Sequence, residues 1–213
     1  MAEYGEIVKD FKSKKLAPIY FLHGEESFFI NNIVALFENE LLDESQKSFN
    51  QYILYGKEID IPQIITTARK FPMMGDQQLI VVKEAQDIKD WKKTQSIEAL
   101  LHYLKTPVPS TILVFAYQHK LLDKRSKLAK VLTKTSMMME SKKIYDNQIG
   151  PWIQSYLKSK LLTMNQKGVM MLSENIGNNL QRLSIEIDKL ALNLSEGQQI
   201  DEQHIQNYVG INR

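Results

Sequence analysis

The chain has no cysteine among its 213 residues. That excludes disulfides, thiolate metal sites and cysteine nucleophiles, and it suits a cytoplasmic location. An excess of one charge is also missing: 27 basic residues stand against 25 acidic ones, for a net charge of +2. Any nucleic-acid surface is therefore local rather than global. No apolar run approaches membrane-spanning length, and the N-terminus mixes Glu3, Glu6 and Asp10 with lysines instead of building a signal peptide. The four histidines, at positions 23, 102, 119 and 204, lack metal-ligand spacing, which gives them structural or surface roles and leaves no metal site. The expected protein is soluble and has no membrane partner.

What is present opens as strand, glycine turn, helix. Pro18 starts a strand, Ile19-Tyr20-Phe21-Leu22 is its apolar run, and His23-Gly24 ends it. Ser27 is the expected N-cap of a helix carrying Ile30, Ile33, Val34, Phe37 and Leu41 at helical spacing. This is the opening unit of a nucleotide-binding α/β domain. The turn lacks the matching chemistry, however. A phosphate loop needs several glycines, a lysine and a following hydroxyl. Here the residues are His23-Gly24-Glu25-Glu26-Ser27-Phe28-Phe29, with carboxylates where phosphate charge would sit. Glu25 and Glu26 suit a helix N-terminus, so the protein is expected to fill its own anion site and to need no cofactor.

Residues 3–14 form an amphipathic helix pattern with Ile7, Val8 and Phe11 on one side. Apolar runs at 52–55, 79–82, 111–116 and 136–140 alternate with helical patterns at 61–70 and 96–104. Strands alternating with helices imply a mostly parallel sheet. A hydrolytic enzyme of this architecture would close the third strand with an acidic pair for magnesium, but this one ends Lys83-Glu84-Ala85 and offers no catalytic residue. Residues 120–134 are the one basic concentration. Leu128, Val131 and Leu132 give that segment an inner face, which leaves Lys124, Arg125, Lys127 and Lys130 either solvated or in contact with DNA phosphates. Beyond residue 143 only helices are expected, at 148–158 and 165–175, then a long one capped by Asn179 and ended by Gly197, and a short one capped by Asp201.

One stretch stands apart from this regularity. Phe71, Met73 and Met74 lie between Pro72, which disfavours helix at the residue before it, and the Gly75-Asp76 break. The local pattern leaves two places for this trio, tucked under the preceding helix or presented outward as a binding wedge. An aromatic with two thioethers suits another protein's pocket.

Four motifs in this order carry a resemblance. They are Gly24-Glu25-Glu26; Phe71-Pro72-Met73-Met74-Gly75-Asp76-Gln77-Gln78-Leu79-Ile80-Val81-Val82; Leu122-Asp123-Lys124-Arg125-Ser126-Lys127-Leu128; and Asn179-Leu180-Gln181-Arg182-Leu183-Ser184-Ile185-Glu186-Ile187-Asp188-Lys189-Leu190. Together they make the chain similar to the delta subunit of the bacterial DNA polymerase III clamp loader over nearly its whole length. The resemblance implies an AAA+-like α/β domain with a degenerate nucleotide site, residues 1–142, followed by a small all-helical lid, residues 143–213. It implies that Phe71, Met73 and Met74 are the wedge that enters a pocket of the ring-shaped sliding clamp, the beta subunit, and springs one interface open. The family favours Leu then Phe where this chain has Met73 and Met74, a change that keeps volume and apolarity. Other loader subunits would be reached through a C-terminal collar domain that the 213 residues do not include, so a monomeric N-terminal fragment is expected. Primer-template DNA is the further partner implied for the assembled complex. The alternatives are an ATPase with a divergent phosphate loop and a DNA-binding module using the basic 120–134 helix.

Overall fold

The computed structural model describes residues 2–73, 75–194 and 198–209, and it divides into two compact units, Met1–Lys143 and Ile144–Arg213. In the first, α1 (Tyr4–Lys12), β1 (Ile19–Gly24), α2 (Ser27–Glu40), α3 (Glu44–Asn50), β2 (Gln51–Tyr55) and α4 (Ile61–Ala68) come before β3 (Gln78–Lys83). They are followed by α5 (Thr94–Lys105), β4 (Thr111–Gln118), α6 (Lys127–Thr135) and β5 (Met137–Ser141). The five strands form one sheet in the order β2-β3-β4-β1-β5, every pair parallel.

Both faces of this sheet are covered, which is why its strands read as unbroken apolar runs. Ile19, Phe21, Ile80, Val82, Leu113 and Phe115 point into one core with side chains of α4, α5 and α6. The alternate residues Tyr20, Leu22, Leu79, Val81, Ile112 and Val114 point into a second core with α1 and α2. The sheet is parallel throughout, as the alternation of strands and helices in the sequence predicts. Its strand order reverses around β1, which puts the carboxyl ends of β1 and β4 where open α/β sheets bind ligands.

Several boundaries differ from the sequence reading for local reasons. α1 stops at Lys12, and Lys14, expected inside it, is left-handed at φ 56°. Glu26, not Ser27, caps α2: its carboxylate accepts the Phe28 N–H at 2.9 Å. α4 ends at Ala68 rather than 70. The basic stretch is helical only from Lys127, because the Ser126 hydroxyl caps α6 by accepting the Ala129 N–H. Lys124 and Arg125 therefore precede the helix on which the 120–134 reading placed them. α3 gave no sequence signal because Asn50 is its one buried residue, so it carries no apolar stripe.

The second unit contains α7 (Asp146–Ser159), β6 (Thr163–Met164), α8 (Gln166–Ile176), α9 (Leu180–Asn193), β7 (Gln199–Ile200) and α10 (Glu202–Val209). Leu180, Leu183, Ile187 and Leu190 are the buried seam of α9, and the Asn179 side chain accepts the Arg182 N–H at 2.9 Å. Asp201 caps α10 by accepting the N–H groups of Gln203 and His204. The helices-only expectation is corrected here by a short parallel pair, Thr163 with Gln199 and Met164 with Ile200. α9 ends at Asn193, with Leu194 already extended, short of the expected stop at Gly197, which itself lies outside the described residues. Among the described residues no helix is long and apolar enough to cross a membrane.

Candidate functional site

The carboxyl end of β1 is closed by its own backbone. Gly24 has φ +145°, and a Cβ built there would lie 1.9 Å from the Ser141 carbonyl oxygen. The Glu26 N–H, which a phosphate loop would aim at its ligand, donates to that Ser141 oxygen at 3.3 Å. Ser141 Oγ returns a bond to the Glu26 carbonyl at 2.6 Å. At the end of β3, Lys83 sits 2.7 Å from Glu38 Oε1, so an ammonium stands where magnesium chemistry would need acid. The described residues hold no cluster of three metal-ligating side chains. The corner does not fit a triphosphate.

His23, one residue earlier, is fully buried. Its Nδ1 accepts the Leu122 N–H at 3.3 Å, which places the ring proton on Nε2, and Nε2 has no partner among the described residues. Burial pushes its pKa down, against the neighbouring Glu140 carboxylate, which pulls it up, and with Lys124 lowering it further. Glu140 in turn is held below the usual carboxylate range by the Lys124 ammonium beside it, 2.7 Å away. The unfolded chain protonates His23 near its ordinary pKa of about 6.5, whereas the folded chain resists until lower pH, so acid favours unfolding. Stability should fall as pH drops from 7.5 to 5.5, with a contribution from this group of at most about 1.4 kcal/mol per pH unit. The replacement His23→Asn, which keeps an acceptor for Leu122, should flatten that slope in denaturant titrations.

Two of the four basic residues are engaged. Lys124 pairs with Glu140, and Arg125 Nε lies 3.3 Å from Asp123 Oδ1. Lys127 and Lys130 are exposed on α6 and join no ion pair among the described residues. The four candidate DNA contacts therefore form no single free cationic face.

The loop between α4 and β3 is the opposite case, since Phe71 and Met73 face solvent while its backbone is held. Phe71 is 83% exposed and Met73 75% exposed; Met74 lies outside the described residues. Of the two placements open to the trio, the described pair takes the outward one. At the root of the loop, buried Gln78 donates from Nε2 to the Lys70 carbonyl at 2.7 Å and to Thr111 Oγ1 at 2.6 Å. Thr111 Oγ1 donates to the Ala68 carbonyl at 2.9 Å. These bonds satisfy carbonyls that the end of α4 leaves open. At the tip, the Met73 N–H donates to Asn50 Oδ1 at 2.8 Å. Gly75, at φ +82°, turns the chain back beside Gln46, whose Nε2 would lie 2.4 Å from any added Cβ. The sequence reading gave Asn50, Gln78 and Thr111 no part in holding this loop, because their bonds to it span 8 to 43 positions of chain.

Comparison with known proteins agrees with this architecture. The family model described as DNA polymerase III, delta subunit, matches residues 20–142. The DNA polymerase III subunit delta of Bacillus subtilis is 28% identical over 199 residues, covering 92% of this chain and 57% of that protein. The solved Bacillus subtilis DNA clamp loader delta protein superposes with a TM-score of 0.80 at 26% identity, over 97% of this chain and 62% of that one. The chain thus spans less than two thirds of either relative. The Thermotoga maritima RuvB Holliday junction branch migration motor shares the fold at a TM-score of 0.50 and 10% identity, over 97% of this chain and 66% of that one.

Proposed function

Because this chain belongs to the DNA polymerase III delta-subunit family, we propose that it grips the ring-shaped sliding clamp through Phe71, Met73 and Met74 and favours an open ring without hydrolysing ATP. The observation that carries this reading is a pair of large apolar side chains held in solvent on a loop whose backbone is tied down. Exposed apolar groups gain nothing from the fold and gain on the order of 1.5–3 kcal/mol each when a partner pocket removes them from water. Opening follows only if the chain binds the open ring better than the closed one, since a ligand shifts an equilibrium by its differential affinity alone.

ATP acts on other subunits in this reading, because the Gly24 corner is filled by Ser141 and Glu26. Other loader subunits and primer-template DNA are the further partners in this reading. Lys127 and Lys130 supply at most a secondary DNA contact, since Lys124 and Arg125 are ion-paired.

Mixing the chain with the sliding clamp of the same organism should give a complex of micromolar or tighter affinity by calorimetry or size-exclusion chromatography. A labelled ATP analogue with magnesium should give no saturable binding. Failure of the first removes the clamp-binding reading, and saturable nucleotide binding revives the ATPase alternative.

A further inference from the structure

The wedge side chains cannot hold their own loop in place, because Phe71 and Met73 face solvent. Something else fixes where they point. Gln78 and Thr111 fix the root of the loop, but the root alone leaves the tip free to turn. The tip is caught by Asn50, the last residue of α3, which is 23 positions away in sequence and 1% exposed. A buried amide is costly unless it is hydrogen-bonded, and the Met73 N–H of the folded loop gives its Oδ1 a donor.

We propose that Asn50 is the positioning residue of the clamp wedge: by accepting the Met73 N–H it keeps the loop in the one conformation that presents Phe71 and Met73 outward. This rests on the clamp-binding reading above. The bond is made to backbone and not to a wedge side chain, so it acts whichever apolar residues occupy the tip. Pro72, with its fixed φ, and Gly75, at φ +82° beside Gln46, narrow the loop on either side of the bonded amide. α3 is thereby given a role that its lack of an apolar stripe leaves otherwise unexplained.

A loop that is competent for only a fraction of the time binds with an apparent Kd raised by the inverse of that fraction. With Asn50→Ala the clamp Kd should rise about tenfold, and the change should sit in kon, because the bound loop is held by the clamp pocket itself. The test measures association and dissociation of the purified clamp with the wild-type chain and with Asn50→Ala, well below either protein's unfolding temperature. Hydrogen exchange of the Met73 amide is followed in both. Slower association with unchanged dissociation and loss of Met73 protection supports the proposal. Unchanged association, or a change confined to dissociation, overturns it, because a merely structural residue would lower the unfolding temperature and leave the association rate of the folded molecules alone. If Asn50→Ala does not fold, the wild-type exchange decides: a Met73 amide that exchanges as freely as in an unfolded peptide overturns the proposal, and a protected one supports it. Replacing Phe71 and Met73 by serine separates the two readings. If that variant binds like wild type, the wedge assignment fails and this proposal with it. If it loses binding while Asn50→Ala does not, only the positioning role fails.

Discussion

Replacing Phe71 and Met73 together by serine should raise the Kd for the sliding clamp at least a hundredfold while leaving the stability of the chain unchanged. The first half follows from exposure. Two side chains at 83% and 75% exposed have nearly all their apolar surface available for a partner. Full burial of a Phe or Met is worth about 1.5–3 kcal/mol, and each 1.4 kcal/mol is a factor of ten in affinity. Anchors of this kind carry most of the energy of a contact, so the loss should exceed what rim residues produce. The second half follows from the same exposure, since surface substitutions usually fall within about 0.5 kcal/mol of neutral. Serine also keeps the Met73 backbone N–H and therefore its bond to Asn50, so the variant removes the apolar tip and keeps the loop's support. Calorimetric titration with the clamp, beside urea unfolding of both proteins, measures the two halves. Binding unchanged in the folded variant would mean that the clamp is held elsewhere.

What the sequence made legible divides along a physical line. Ile19-Tyr20-Phe21-Leu22 and Leu79-Ile80-Val81-Val82 read as strands because burial on both faces leaves no room for polar residues. Asn179 and Asp201 read as caps because a cap acts within three residues of itself. The family too was legible, from motifs that are short and contiguous, and the family model matches the same chain from residue 20 to 142. Phe71 and Met73 were conspicuous, but their outward placement was not, since Pro72 and Gly75 break the chain without saying which way it goes. That depends on Asn50, Gln78 and Thr111, polar residues whose partners lie between 8 and 43 positions away. β6 and β7 were missed because two residues are too few to show an alternation. Glu26 displaced Ser27 as the cap of α2 because the two are adjacent and either could serve.

The closed corner makes the other large prediction, for Gly24→Ala. A glycine in a phosphate loop is needed for the ligand, so alanine there should cost binding and little stability. Gly24 is placed otherwise. Its φ of +145° is a conformation that side-chain-bearing residues rarely adopt, and its Cβ would overlap the Ser141 backbone, with the carbonyl oxygen 1.9 Å and the nitrogen 2.7 Å away. Backbone atoms of a paired strand cannot swing aside as a lysine tip could. β5 would have to move off β1, and with it would go the Glu26 N–H bond to Ser141 and the Ser141 Oγ bond to Glu26. Strained backbone costs about 1–3 kcal/mol and overpacking a similar amount, so the total should be about 3–5 kcal/mol, a large part of the ~5–15 kcal/mol that holds a domain together. Urea unfolding should show the midpoint falling with little change in slope. A loss below about 1 kcal/mol would mean that the corner has room which the Ser141 carbonyl is held to fill. Room for a methyl group there would be the first step towards room for phosphate, and the division of labour proposed here, with gripping in this chain and hydrolysis in others, would lose its structural ground.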